Sequence, residues 1–115
     1  GGVFAKREIR SVDLGSVLTV GNKAFLACSN MIRVDCGDSL VLIGEGAFEN
    51  CALLEELVLP NSLTDVRSRA FAECSELALA VYYGKEAEFG NISFGEENRM
   101  LSEAALVIYR GGTEQ

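Results

Sequence analysis

One feature constrains the fold of this chain more than any other: it resembles itself every 23 residues. Ala24-Phe25, Ala47-Phe48 and Ala70-Phe71 recur at that step, and Cys28, Cys51 and Cys74 each follow their Phe by three positions. Phe94 keeps the step once more. Met31, Leu54, Leu77 and Met100 make a third column, and Val20, Ile43, Val66 and Phe89 a fourth. Upstream, Val12-Asp13-Leu14-Gly15 matches Val34-Asp35-Cys36-Gly37 once a residue is deleted between Gly15 and Val17, so a partial repeat begins near Ile9. A unit this short cannot bury both sides of an apolar face, so the units must stack as coils.

Within a unit, Leu54-Glu55-Glu56-Leu57-Val58-Leu59-Pro60 alternates with period two and reads as a short strand that Pro60 ends. The stretch from Asn61 to Val66 reads as irregular, and Gly44-Glu45-Gly46 as a turn. Ala-Phe-x-x-Cys suits one short helical turn, in which Phe and Cys share a face. Equivalent strands then pair in parallel about 4.8 Å apart and the core becomes a set of ladders. The strand ladders are Val12, Val34, Leu57 and Ala80, then Leu14, Cys36, Leu59 and Tyr82; a spine of Phe25, Phe48, Phe71 and Phe94 opposes them. Truncating one spine Phe to Ala is expected to cost about 3–5 kcal/mol.

Composition removes several function classes. Seventeen acidic residues against ten basic give a net charge of −7, which repels phosphate backbones and anionic lipid surfaces, so neither nucleic acid nor a membrane surface is an expected partner. No segment approaches the roughly 18 apolar residues of a membrane span, and none reads as a signal peptide. The opening Gly1-Gly2-Val3-Phe4 lacks an initiator Met, and the chain is read as a processed or excised piece. With no histidine, the commonest general base and the usual nucleophile pairs are missing. The Cys column is read as packing, since three unassisted thiols in an apolar seam are a poor ligand set for a metal. Gly44-Glu45-Gly46 lacks the rest of a phosphate loop, and the pairs Glu55-Glu56 and Glu96-Glu97 are read as solvated rather than as a catalytic dyad. No enzyme activity, cofactor or metal is expected.

The pattern Ile-Gly-x-x-Ala-Phe-x-x-Cys-x-x-Leu-x-x-Leu-x-Leu-Pro-x-Ser-Leu, carried by Ile43 through Leu63, resembles the BspA-like leucine-rich repeats of bacterial surface proteins. Val81-Tyr82-Tyr83-Gly84, Phe89, Ile92, Asn98, Leu101, Ala105 and Tyr109 resemble that family's closing segment. Ser93 and Glu97 depart from the repeat as replacements for its Ala and Cys, and Tyr83 to Tyr109 spans 26 residues, three more than the period. The resemblance implies an α/β fold: a right-handed leucine-rich-repeat solenoid with about five parallel strands on the concave side, near residues 9–14, 32–36, 55–59, 78–83 and 104–109, and short helical turns on the convex side. Residues 1–8 are then a lead-in or partial cap, 9–83 the repeats, and 84–115 a closing repeat and tail.

By register, the outward row of the strands carries Ser11 and Asp13, Arg33 and Asp35, Glu56 and Val58, Leu79 and Val81, with Tyr83 at a strand end. Asp13, Arg33, Asp35, Glu56, Val58, Leu79, Val81 and Tyr83 are the candidate contact residues, charged early in the stack and apolar late. The resemblance implies an interaction module, extracellular or on the cell surface and used in adhesion, whose partner is a protein or glycoprotein, host extracellular ones included. Exposed coil ends offer a route to weak self-association. The competing reading is a spacer or capping domain of a larger surface protein with no ligand of its own.

Overall fold

The structure, a computed structural model, describes residues 10–101 and 105–111. The expected lead-in, residues 1–8, lies outside them. The described chain winds as stacked coils with two parallel sheets. Five strands, β1 (Ser11–Asp13), β3 (Arg33–Asp35), β5 (Glu56–Pro60), β7 (Leu79–Tyr83) and β9 (Leu106–Tyr109), pair in that order. The register Val12↔Val34, Val34↔Leu57 and Leu57↔Ala80 is the ladder that the repeat predicts, and Ala80↔Val107 continues it into the last strand. Val34, Cys36, Leu57, Leu59 and Ala80 are fully buried beneath it.

A second sheet, where the sequence at Asn61–Val66 reads as irregular, is formed by β2 (Thr19–Val20), β4 (Leu42–Ile43), β6 (Asp65–Val66) and β8 (Ser93–Phe94). Its strands are two residues long, too short for an alternating pattern to show. The offset between paired residues is 22 from β1 to β3 and 23 from β2 to β4, which puts the single deletion between Asp13 and Thr19.

The helical turns expected at Ala-Phe-x-x-Cys are hydrogen-bonded turns instead. Lys23 and Ala27 have φ of 58°, Gly46 and Asn50 have 62° and 63°, and Arg69 and Glu73 have 59° and 62°. A left-handed residue on either side of each Phe forbids a continuous right-handed helix. Alternate amides instead point along the stack: Lys23, Phe25 and Ala27 donate to the carbonyls of Glu45, Ala47 and Glu49, while Ala24, Leu26 and Cys28 close turns within their own coil. The backbone is thus cross-linked coil to coil on this side also, which a helix would prevent by spending its N–H groups internally.

Phe25, Phe48 and Phe71 stack with centroids 5.1 and 5.3 Å apart and planes within 5°. That spacing is the strand spacing, so the rings are spaced by the coils that hold them. Phe94 does not continue the spine. It pairs with Val66 in the four-stranded sheet, taking the column assigned above to Phe89, because the last coil is longer than the rest. Tyr82 aligns with Tyr109, an offset of 27, and Val66 with Phe94, an offset of 28, so the lengthening is four to five residues rather than the three that Tyr83 to Tyr109 suggested.

The inserted residues form α1 (Glu86–Gly90), where the Glu88 carboxylate accepts from the Lys85 amide at 2.8 Å. The helix drives Phe89 into the end of the core, edge-on to Tyr82 at 5.2 Å and Tyr109 at 5.8 Å and against Phe94 at 5.7 Å. Glu97, read above as replacing a Cys, occupies instead the left-handed position (φ 62°) that Arg69 holds one coil earlier, and the two side chains are ion-paired. Asn98 is buried with its side chain satisfied: its Oδ1 accepts from Phe71 N–H at 2.9 Å and its Nδ2 donates to the carbonyls of Arg67 and Gly95 at 2.9 and 3.0 Å. It replaces a backbone acceptor where the longer coil loses the repeat's geometry.

Candidate functional site

The outer face of the five-stranded sheet presents three rows of side chains. The first is Ser11, Arg33, Glu56, Leu79 and Leu106, and the second Asp13, Asp35, Val58, Val81 and Ile108. Pro60 and Tyr83 extend the third. All eight residues singled out from the sequence lie in these rows, but their circumstances differ.

Asp13 and Asp35 are turn formers as well as surface groups. Each carboxylate Oδ1 accepts the amide of the glycine two residues on, Gly15 at 3.0 Å and Gly37 at 2.9 Å. Gly37, at φ +78°, cannot be replaced without strain, and a Cβ there would sit 1.9 Å from the Gly15 carbonyl oxygen. The Val-Asp-x-Gly motif therefore folds the chain out of the strand and leaves a carboxylate at each strand end. Arg33 and Glu56 pair with one another across β3 and β5 at 3.5 Å, both partly exposed.

Val58 and Val81 face outward but are only 6% and 9% exposed, because each is flanked along its row by neighbours a strand spacing away. Leu79 is half-buried. The exposed apolar groups are Tyr83 (52%), Leu106 (64%) and Ile108 (38%). Sequence reading missed the last two, although their alternation with Val107 and Tyr109 in β9 was a readable signal. They stand out because β9 is the last strand of the sheet, with one flank uncovered among the described residues.

A shallow groove of about 570 Å³ runs along one end of these rows. The carboxylates of Asp13, Asp35 and Asp38 line one part of it, Val58, Pro60 and Tyr83 another, and no lysine or arginine lines it. Arg33, Glu56, Leu79 and Val81 lie on the same face outside the groove.

The thiols are placed for packing. All four are buried and none is in a disulfide. Cys51 and Cys74 donate to the carbonyls of Phe25 and Phe48, one coil back, at 3.2 and 3.1 Å. Burial, reinforced by the Asp35 charge, pushes the Cys36 thiol up to about 12, and its interaction with Cys51 together with burial raises Cys74 further still. A nucleophile or metal ligand needs the opposite shift. Among the described residues, no group of three or more Cys, Asp or Glu is arranged to hold a metal ion, and no helix is long and apolar enough to cross a membrane.

The sequence model described as BspA type leucine rich repeat region matches residues 2–105 in six copies. Among solved structures, the leucine rich repeat protein of T. pallidum is similar at 25% identity and a TM-score of 0.66, over 91% of this chain and 53% of that one. This chain therefore spans about half the length of that structure. No curated protein matches it significantly.

Proposed function

Because the chain belongs to the BspA-type leucine-rich repeat family, whose repeats typically serve as protein-interaction modules, we propose that it is a non-enzymatic module that holds a protein or glycoprotein against the outer face of its five-stranded sheet, the concave face of the solenoid. The observation that carries this reading is the placement of Tyr83, Leu106 and Ile108. These large apolar groups are exposed together, beside Leu79 and Val81, on a sheet whose opposite face packs into the core. Apolar anchors beside a polar margin are what a protein contact of useful affinity requires. The parent protein is proposed to act on the bacterial surface or after secretion, as the family resemblance suggests, and fractionation of producing cells tests that part.

The test of binding is surface plasmon resonance of the purified chain against extracellular-matrix proteins, mucins and bacterial surface glycans. It is run beside Leu106→Glu/Ile108→Glu, a change confined to exposed positions. A saturable partner whose affinity falls about tenfold or more in that variant supports the reading. Binding by the folded variant at unchanged affinity overturns the assignment of the face. No partner for the folded wild-type chain leaves the spacer reading in its place.

A further inference from the structure

We propose that the groove at the end of the sheet receives an extended segment of a partner polypeptide that carries lysine or arginine at one end and an apolar side chain about four residues away. This rests on the reading of the sheet face as a contact surface and specifies the chemistry of what binds there.

The argument starts from a cost. Asp13 and Asp35 are direct neighbours in the register of β1 and β3, and like charges opposite one another destabilise a sheet. Asp38 adds a third carboxylate to the same groove. The turns do not need the charge: the Asx turn uses one side-chain oxygen, which asparagine supplies equally. Among the described residues no cation forms an ion pair with any of the three, since Arg33 is committed to Glu56 and Arg69 to Glu49 and Glu97. Three carboxylates thus line one groove with no ion pair among the described residues: the turns use one oxygen each of Asp13 and Asp35, and Asp38 accepts from the Ser39 hydroxyl at 2.9 Å. A cationic partner supplies the missing counter-charge, and charge complementarity of this kind sets both partner choice and association rate.

The apolar wall sets the rest of the segment. Val58, Pro60 and Tyr83 lie on β5 and β7, beyond the carboxylates along the stack. From Asp13 on β1 to Tyr83 on β7 is three strand spacings, about 14 Å, and an extended chain rises about 3.3 Å per residue, so a cation at Asp13 and an apolar anchor at Tyr83 stand about four residues apart. Tyr83, half exposed at the groove wall, offers its ring to that anchor or to the alkyl stem of the cation.

The test uses the whole chain, isotopically labelled, and three capped peptides: Arg-Lys-Ser-Gly-Ser-Leu-Phe, its counterpart beginning Glu-Glu, and one ending Ser-Ser. The informative variant is Asp13→Asn/Asp35→Asn/Asp38→Asn, which removes the charge and keeps the oxygen that each turn uses, so the fold is retained and confirmed from its amide spectrum. The expected result is saturable shifts of the Asp13, Asp35 and Tyr83 amides with the first peptide. Affinity should weaken about tenfold or more in the triple variant or at about 0.5 M salt, and neither control should bind comparably. Equal binding of the acidic peptide, or unchanged affinity in the triple variant, overturns the inference about charge. A first peptide that does not saturate overturns the groove as the seat of such a segment. Either failure is separable from failure of the sheet-face reading, which stands or falls on Leu106→Glu/Ile108→Glu and its own partner screen.

Discussion

Single residues carry this fold's unusual backbone, and the cost of that is measurable. Ala27 is exposed and left-handed at φ 58°, a conformation that costs an L-residue roughly 1–2 kcal/mol. Ala27→Gly should therefore stabilise the chain by about 0.5–1 kcal/mol in urea unfolding, after subtracting the extra freedom glycine gives the unfolded chain. The same column holds Asn50, a residue that tolerates this region, and Glu73, which does not favour it, so this column carries no glycine to show that the Phe turns are not helical, and the other left-handed column carries one only at Gly46. Cys36 makes a second prediction. The unfolded chain releases its thiol proton near 9.0, whereas the native state holds it until about 12. Stability from this group is complete below 9.0 and drains as pH climbs toward 12, by up to about 1.4 kcal/mol per pH unit. Urea titrations between those limits should show a shallower decline for Cys36→Ala than for the parent chain, even though the buried Tyr82 and the half-buried Tyr109, also raised, add their own slopes.

Elements here are coils, and their energetics depend on where each lies in the stack. Phe48 is wholly buried between two stacked rings, while Phe25 is half-buried with a ring on one side. Phe48→Ala should cost about 3–5 kcal/mol and Phe25→Ala distinctly less, a ranking that denaturant midpoints at constant m-value would check. The five principal strands and their interior ladder were legible because period-two alternation inside a 23-residue repeat fixes which side chains face the core. The four-stranded sheet was not, since two residues of β-structure are specified by the coil above and below rather than by local pattern. The last coil misled for a related reason. Phe94 sits 23 residues beyond Phe71 in the chain, but the α1 insertion moves it into another column, and only pairing with Val66 reveals the shift.

The whole molecule is a stack in which each coil contacts mainly its neighbours, so its ends decide how far it holds together. Phe89, Phe94, Tyr82 and Tyr109 close one end. A chain stopped after Tyr83 would leave β7 as the last strand and strip Tyr82 of Phe89 and Tyr109. It should lose the cooperative thermal transition of the full chain by circular dichroism, and retention of that transition would show the aromatic closure to be dispensable. The candidate contact face belongs to this scale as well. The sequence placed all eight candidate residues on one side of one sheet, which strand alternation alone dictates. It did not determine which of them solvent reaches. Val58 and Val81 are covered by their row neighbours, whereas Leu106 and Ile108 are exposed by a missing neighbour. The sequence by itself therefore determined the repeat, the parallel ladder and the direction of the strand residues before the last coil, because these follow from the period that the preceding coils share. Only the tertiary structure decided the turn conformation, the register of the lengthened last coil and the exposure of the contact face. Those depend on hydrogen bonds and contacts between coils, which no single coil's residues record.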